Sequence, residues 1–291
     1  MKKQRAAIAA LAWVAVSVTG CSTTRLTVDL MAPVLRDTTT AALRSQDPQL
    51  VREALPTSIL LLQGLLESHP EQSEVARLAS MLSFSYAYAF VEDEDPARAS
   101  TLYRQGIELG WRAFGDPDRE QAIRSGDFPS LREALAACDP GDAPALLWIA
   151  ANWSSWIQLN LADPRAAADL ARVLPLVTRL VELDGDAFWG MPHILLGSLH
   201  GARPAMLGGD SAASLAEFEL AFAASDRTLL MAQVFYARTY CVQVFDGDLY
   251  RSSLREVLDA PAGQLPDAEL MNAVAREKAA RLLPLADEIF D

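Results

Sequence analysis

The amino-acid sequence predicts an all-α fold in which irregular tetratricopeptide-like helical hairpins form a compact solenoid. Two observations predict it. Ala, Leu, Arg and Glu dominate the chain while strand-like alternation is scarce, and a helix-start pattern recurs along it. The 291 residues, of which 51% are hydrophobic, are enough to bury a core without disulfides. Disorder and fibrous repeats are therefore excluded.

The recurring pattern consists of acidic residues with proline or glycine ahead of an apolar run. It appears three times, at His69, Asp139 and Asp184, and in a weaker form at Asp226. We expect first helices of hairpins over Val75–Val91, Ala145–Leu161, Phe188–Leu199 and Leu229–Phe245. The units are longer than the roughly 34 residues of a tetratricopeptide repeat. This irregularity favours a closed body over a regular peptide-binding groove.

The turns after these helices also resemble one another. Asp95, Asp163 and Asp210 each stand where an N-cap is expected, and proline follows the first two at the first helical position. A second helix of each hairpin is predicted to follow. Two longer helices, Asp47–Ser68 and Asp267–Phe290, are expected to cap the array.

Charge and cysteine content exclude two further classes. The formal charge of −13, from 25 basic and 38 acidic residues, argues against nucleic-acid binding. Three cysteines are too few for a disulfide scaffold. Cys138 and Cys241 could pair in an oxidising compartment, but no spacing rule links them, and free buried thiols are favoured.

The amino terminus has the layout of a secretory signal peptide, a basic start followed by an apolar run too short to span a membrane. Val18-Thr19-Gly20-Cys21 resembles a bacterial lipobox, so lipidation of Cys21 is predicted. The alternative is an ordinary signal peptide or signal anchor with an incidental cysteine. The expected organisation is a signal peptide over 1–20, a lipidated tether over 21–29 and one domain over 30–291. Ser22, in place of Asp, favours the outer membrane, facing the periplasm.

Patterns of familiar catalytic sites are absent, so no enzyme and no cofactor is expected. His193 and His200 could share a helix face, but only His69 remains as a further histidine, so polar roles are favoured over metal binding. The run Glu92-Asp93-Glu94-Asp95 could attract a cation. A solvated turn with Asp95 as a cap is favoured instead.

Aromatic residues concentrate on the first helices of the hairpins. The candidates for a ligand site are Tyr86, Tyr88, Trp148, Trp153 and Trp156. A helix that is hydrophobic nearly all round is either central or lines an apolar cavity. Ordinary core packing is the alternative.

The stretch Gly197–Asp210 contains a second set of candidates. Proline is expected to end a helix there. Gly208-Gly209 permits backbone conformations that residues with larger side chains disfavour. Arg203 could bind a carboxylate with both arms of its guanidinium or pair with a neighbouring Asp. His200 lies just before it.

Several of these motifs resemble the T component family (TatT) of tripartite ATP-independent periplasmic (TRAP) transporters. The resemblance rests on Arg203–Asp210, Ala145–Trp153 and Ser85–Glu92. It extends to Ala97–Ala99 with Leu102, Tyr103 and Gly106, and, near the end of the chain, to Val257, Leu258, Asn272, Ala273, Ala275 and Ala279–Leu283. It covers nearly the whole chain after the signal sequence. Ser198-Leu199-His200 stands where aromatic residues are expected, which is a departure from the family.

The resemblance implies a lipoprotein that assembles as a trimer, with a hydrophobic pore in each protomer. It also implies a periplasmic solute-binding protein as partner and a small hydrophobic or amphipathic ligand. The first alternative is a tetratricopeptide-like scaffold that binds protein and no ligand, and a cavity would distinguish the two. The second is a periplasmic enzyme of unrecognised type.

Overall fold

A computed structural model describes residue 34, residues 36–204, residue 206 and residues 208–290. The predicted signal peptide, Cys21 and the tether lie outside the described residues. Contacts divide the chain into two compact units, Met1–Ala42 and Leu43–Asp291. In the first, residues 36–42 are helical. The single domain over 30–291 stays a prediction.

The second unit is built from helices, and the all-α prediction is confirmed because the described residues contain no strand. The helices are α1 Pro48–Ser68, α2 Ser73–Tyr86, α3 Pro96–Phe114, α4 Pro117–Ser125, α5 Phe128–Ala136, α6 Ala143–Leu159, α7 Pro164–Asp184, α8 Ala187–Gly201, α9 Ser211–Ala224, α10 Leu230–Tyr236, α11 Gly247–Asp259, α12 Glu269–Leu282 and α13 Ala286–Phe290. The π-helical segments Ala87–Val91 and Ala237–Cys241 continue α2 and α10. Consecutive helices pack as hairpins, and their description as tetratricopeptide-like stays a prediction.

Aspartate N-caps start the second helix of each hairpin. The carboxylates of Asp95, Asp163 and Asp210 accept backbone N–H bonds in the first turns of α3, α7 and α9, at 3.0, 2.8 and 3.0 Å. Asp246 caps α11 in the same way. These bonds satisfy N–H groups that have no partner inside the helix. The predicted N-caps are therefore confirmed.

Helix α6 forms the centre of the core and is buried from Ala145 to Ile157. It packs against both α3 and α7. The fully buried Asn152 donates to the carbonyl oxygens of Ser80 and Trp148, at 3.2 and 2.8 Å. A Cβ at Gly106 would overlap the Asn152 side chain, so glycine allows α3 to approach α6 this closely.

The start of α8 differs from the regular helix predicted over Phe188–Leu199. Phe188, Trp189 and Gly190 have φ values of 47°, 58° and 84°, which form a left-handed turn. A Cβ at Gly190 would lie 2.8 Å from the Ala224 side chain, so glycine is required there. The Phe188 ring meets the Trp148 ring edge to face, with centroids 4.9 Å apart. Tertiary packing thus overrides the local helical pattern.

The two helices predicted to bracket the array, α1 and α12, contact each other. The second is shorter than the predicted Asp267–Phe290, because a 3₁₀ turn at Leu283–Leu285 separates α12 from α13. Arg44 near α1 pairs with Asp267 just before α12, at 2.8 Å. In the part of the chain that is described, no helix is long and apolar enough to cross a membrane.

Candidate functional site

Two helices change from α to π hydrogen bonding at equivalent places in their hairpins, at the ends of α2 and α10. Ser85–Glu92 and Phe235–Val242 align without a gap, and each contains a Tyr-Ala pair at its second and third positions. The alignment places Arg238 at the position of Tyr88. Single-turn π segments widen a helix locally and are frequent at functional sites.

Both π segments border one cavity of about 170 Å³. Its lining includes Tyr88 and Glu92 from the first segment and its end, Ser155 and Leu159 from α6, and Phe235 and Arg238 from α10 and the second segment. For scale, a cavity of about 150 Å³ holds a benzene molecule. The walls combine charged, polar and apolar side chains, which suits a small amphipathic molecule.

Arg238 and Glu92 form the charged end of the cavity. Both terminal nitrogens of Arg238, Nη1 and Nη2, donate to the same oxygen of Glu92, Oε1, each at 3.1 Å. The other oxygen, Oε2, accepts the Tyr103 hydroxyl at 2.6 Å. Glu92 is 7% exposed, whereas 30% of the Arg238 side chain remains accessible. The carboxylate is thus enclosed while the guanidinium reaches the cavity.

Tyr88 forms the aromatic wall beside this pair. Its ring stacks on Phe84 and Phe235, with centroids 5.8 and 5.0 Å apart, and the ammonium of Lys278 lies 4.3 Å from its centre. Among the described residues, its buried hydroxyl has no hydrogen-bond partner. Burial raises the pKa of this hydroxyl, and the positive charge of Arg238 only partly offsets the rise. The hydroxyl therefore stays protonated and can donate.

The acidic run that ends the first π segment is held by cations from three other regions of the chain. Asp95 is the predicted cap, and its neighbours Asp93 and Glu94 are exposed in the predicted turn, whereas Glu92 is buried. Each of the three preceding carboxylates is paired: Glu92 with Arg238, Asp93 with Lys278 at 2.8 Å and Glu94 with Arg52 at 2.6 Å. The run thereby joins α1, α10 and α12 around the cavity.

The buried ammonium of Lys278 and the carboxylate of Asp93 have shifted pKa values. Burial would raise the pKa of Asp93, but Lys278 and two arginines together lower it below its usual value. Burial and the repulsion of Arg238 lower the pKa of Lys278 despite its acidic neighbours. Asp93 is thus the group that gains from the pairing, while Lys278 bears the desolvation cost.

The other aromatic candidates lie in the surrounding core. The Tyr86 hydroxyl is 3.4 Å from Arg98, on the face of the helix away from Tyr88. Trp148 packs between Phe84 and Phe188. The remaining two are Trp153, whose indole N–H donates to Asp169 at 2.8 Å, and Trp156, which is buried in α6. Of the sequence candidates that the structure describes, Tyr88 lines this cavity.

His200 lies in the last turn of α8, and Arg203 lies in the loop that joins α8 to α9. The backbone carbonyls of both accept the side-chain amide of Gln243, at 3.0 and 2.7 Å. The Asp210 N–H also bonds the His200 carbonyl, at 3.0 Å, and the Arg203 guanidinium donates to the Gly208 carbonyl at 3.2 Å. Ala205 and Leu207 of this motif lie outside the described residues. These contacts fold the loop on itself.

Gly209 is required at the close of this loop, since a Cβ there would overlap the carbonyl of Arg203. The loop also borders the cavity, because Ala202 contributes to its lining. Ala202, which directly precedes the Arg203-Pro204 motif, therefore forms one edge of the cavity.

The histidines and cysteines are placed apart from the cavity. Nδ1 of His193 lies 2.7 Å from Glu217, and among the described residues no group of three metal-ligating side chains is assembled. Cys138 and Cys241 are both buried and free. Burial raises the pKa of both thiols, which disfavours the reactive thiolate.

Arg238 is the site residue that sequence reasoning missed. Its partner Glu92 lies 146 positions away in the chain, so no local pattern links the two. A signal did exist in the internal alignment, in which a charged residue replaces Tyr88 at an otherwise similar position.

Comparison with protein families decides the identity of the chain. A sequence model of the TRAP transporter T-component family matches residues 44–290. The chain belongs to this family. A search of curated proteins finds no match to it. The matched range includes both π segments and every described cavity residue, so the cavity lies within the family-matched part of the chain. A T-component is part of a transporter.

Proposed function

We propose that this T-component acts at the cell envelope, where it docks a periplasmic solute-binding protein and holds a small amphipathic ligand in the cavity between its π segments. Family membership supports the transporter role. The cavity is the observation that carries the ligand-binding part, because a pure scaffold needs no such space. Its mixed lining supports an amphipathic molecule over a wholly apolar one.

The position of the cavity supports this role. Its walls come from hairpins far apart in sequence, and its charged end is fixed by ion pairs that span the unit. A site built in this way is preorganised, which reduces the entropy lost when a ligand binds.

Anchoring and assembly complete the proposal. We infer lipidation at Cys21, with the domain held at the outer membrane facing the periplasm and the chain assembled as a trimer. The motif Val18–Cys21 supports the anchor, and the trimer and its hydrophobic pores rest on the family resemblance. The strongly acidic composition disfavours contact with anionic lipid through charge, so the acyl chains would carry the attachment.

The test is capture of the full chain from its native envelope, with mass spectrometry of co-purified proteins and small molecules. We expect a solute-binding protein and a small molecule with the wild type. Ala202→Phe fills the cavity edge and should lose the small molecule while it keeps the partner. The matched control is Leu220→Phe, a half-exposed position on α9 away from the cavity.

Two results would contradict the proposal. Capture of no solute-binding protein by the wild type would remove the docking role. An Ala202→Phe chain that retains the small molecule at the wild-type level would remove the cavity as its site. Capture of the partner with no small molecule from any chain would favour the scaffold alternative.

A further inference from the structure

Helix α1 has an apolar face that is open to its surroundings. Leu50, Leu60 and Leu61 are 61%, 69% and 47% exposed, whereas Leu62 of the same helix is 1% exposed. The helical repeat of about 3.6 residues places the three exposed leucines opposite the buried side of the helix. A Cβ at Gly64, on the same outer side, would meet no described atom within 4 Å. Within the described residues, nothing therefore covers this face.

The outer face of α1 also lacks charge along its middle. No residue from position 54 to position 66 is charged. The exposed members of this stretch are Ala54, Thr57, Leu60, Leu61 and Gly64. Among these five, the hydroxyl of Thr57 is the one side-chain group that can form a hydrogen bond. The face thus presents mainly hydrocarbon.

The second helix predicted to bracket the array is different. Helix α12 exposes Glu277 and Arg281, which pair at 3.7 Å one turn apart. Helices at the ends of an array normally have such polar outer faces, because these keep the protein in solution. The apolar outer face of α1 departs from this pattern. Exposed apolar surface of this kind marks a site of interaction.

Two observations favour lipid over a protein as the partner of this face. A protein interface typically contains about ten hydrogen bonds, whereas the middle of α1 offers a single hydroxyl. Hydrocarbon needs no hydrogen bonds. In addition, α1 is the first of the named helices to follow the predicted lipidation site, Cys21, along the chain.

We infer that the outer face of α1 rests on the lipid surface to which Cys21 is anchored, with its exposed leucines at the boundary between head groups and acyl chains. The helix lies along this surface and does not cross it. Because the middle of the face carries no cation, the contact does not depend on anionic lipid. The inference rests on the lipid anchor of the proposed function and adds which side of the protein faces the membrane.

The test is fluorescence of the full, lipidated chain in phosphatidylcholine vesicles that contain a nitroxide-labelled lipid. Leu60→Cys carries the environment-sensitive fluorophore NBD. Cys138 and Cys241 are buried, and lipidation blocks the thiol of Cys21, so position 60 takes the label. The matched control is Leu220→Cys on α9, where the native leucine is also exposed. We expect emission from position 60 to shift to shorter wavelength and to be quenched at least about threefold more than emission from position 220.

A second variant tests whether the leucines make the contact. Leu50→Glu/Leu61→Glu places two carboxylates on the face, and hydrocarbon excludes them. Quenching at position 60 should then fall to the level at position 220. Both substituted positions are exposed, so the fold should persist, which circular dichroism checks. Replacement of phosphatidylcholine by anionic phosphatidylglycerol should leave quenching of the original Leu60→Cys chain unchanged.

Four results would overturn the inference. The first is equal quenching at positions 60 and 220, and the second is quenching that the double variant does not reduce. The third is quenching that requires anionic lipid. The fourth is a shifted emission without quenching, which would show that a second copy of the chain or another protein covers the face.

Failure of the anchor is distinguishable from failure of the α1 contact. A chain that does not float with the vesicles in a density gradient would remove the anchor and the contact together. A chain that floats but shows no quenching at position 60 would remove the contact and leave the anchor intact.

Discussion

The two π segments have similar backbones and different chemistry. In each segment, a Tyr-Ala pair directly precedes the residue that faces the cavity. Two aromatic residues, four positions apart in the chain, pack against each other on a different face of the helix. Those pairs are Tyr86–Phe90 and Tyr236–Tyr240, with ring centroids 6.2 and 4.9 Å apart. The cavity-facing position is Tyr88 in one segment and Arg238 in the other. The repeated backbone thus places a side chain at the cavity, and divergence between the repeats supplies its polarity.

The residues that follow the two segments differ as well. Glu92-Asp93-Glu94 takes cations from distant helices, whereas Val242-Gln243-Val244 carries no charge and its amide bonds the α8–α9 loop. The residues after the first segment are therefore held by ion pairs, and those after the second by neutral hydrogen bonds. Substitutions in the two should differ in size and in sensitivity to pH.

Loss of the enclosed carboxylate of Glu92 should have the largest effect on the free energy of unfolding. Glu92→Gln leaves Arg238 and Tyr103 with an uncharged partner. We expect the free energy of unfolding to fall by about 2 kcal/mol. This loss is smaller than that for breaking a fully buried ion pair, because Arg238 is partly exposed. Urea denaturation measures it. The matched control is Glu94→Gln in the exposed pair with Arg52, which should reduce stability much less because exposed ion pairs contribute little. Equal losses would show that enclosure of Glu92 contributes nothing.

A smaller effect is expected in the second segment. Gln243→Ala removes the amide that bonds the carbonyls of His200 and Arg203, and should destabilise the protein by about 1 kcal/mol. Because the bonds are neutral, the loss should be the same at low and high salt, which thermal unfolding at two ionic strengths can check. A salt-dependent loss would contradict this description of the loop.

The smallest expected effect is a difference in pH dependence. Pairing lowers the pKa of Asp93 in the folded state, so its contribution to stability is present above the unfolded pKa and is lost as pH falls through the folded one. The double variant Asp93→Asn/Lys278→Met removes both charges. It should lose less stability than the wild type from about pH 5 towards about pH 2. If the urea midpoints of the wild type and the double variant fall by the same amount over this pH range, the ion pair has no role in the pH dependence.

The fold could be predicted from the sequence where local signals decide the structure. Asp95, Asp163 and Asp210 mark helix starts because an N-cap depends on a few neighbouring residues. The left-handed turn at Phe188–Gly190 was missed because it depends on packing against another helix. Tyr88 was predicted as a candidate from its aromatic surroundings. Arg238 was not, because its role arises from a partner far along the chain.

The ion pairs of Asp93 and Glu92 also determine when the site can exist. A chain is synthesised from its amino terminus, and contacts between residues far apart in sequence form late because a long loop must close. The ion pair of Glu92 cannot form until Arg238 has been synthesised. That of Asp93 requires Lys278, which lies 185 positions later in the chain. A chain cut short before α12 would lack the cation for Asp93, so the charged surroundings of the cavity can be completed only after α12 has been synthesised.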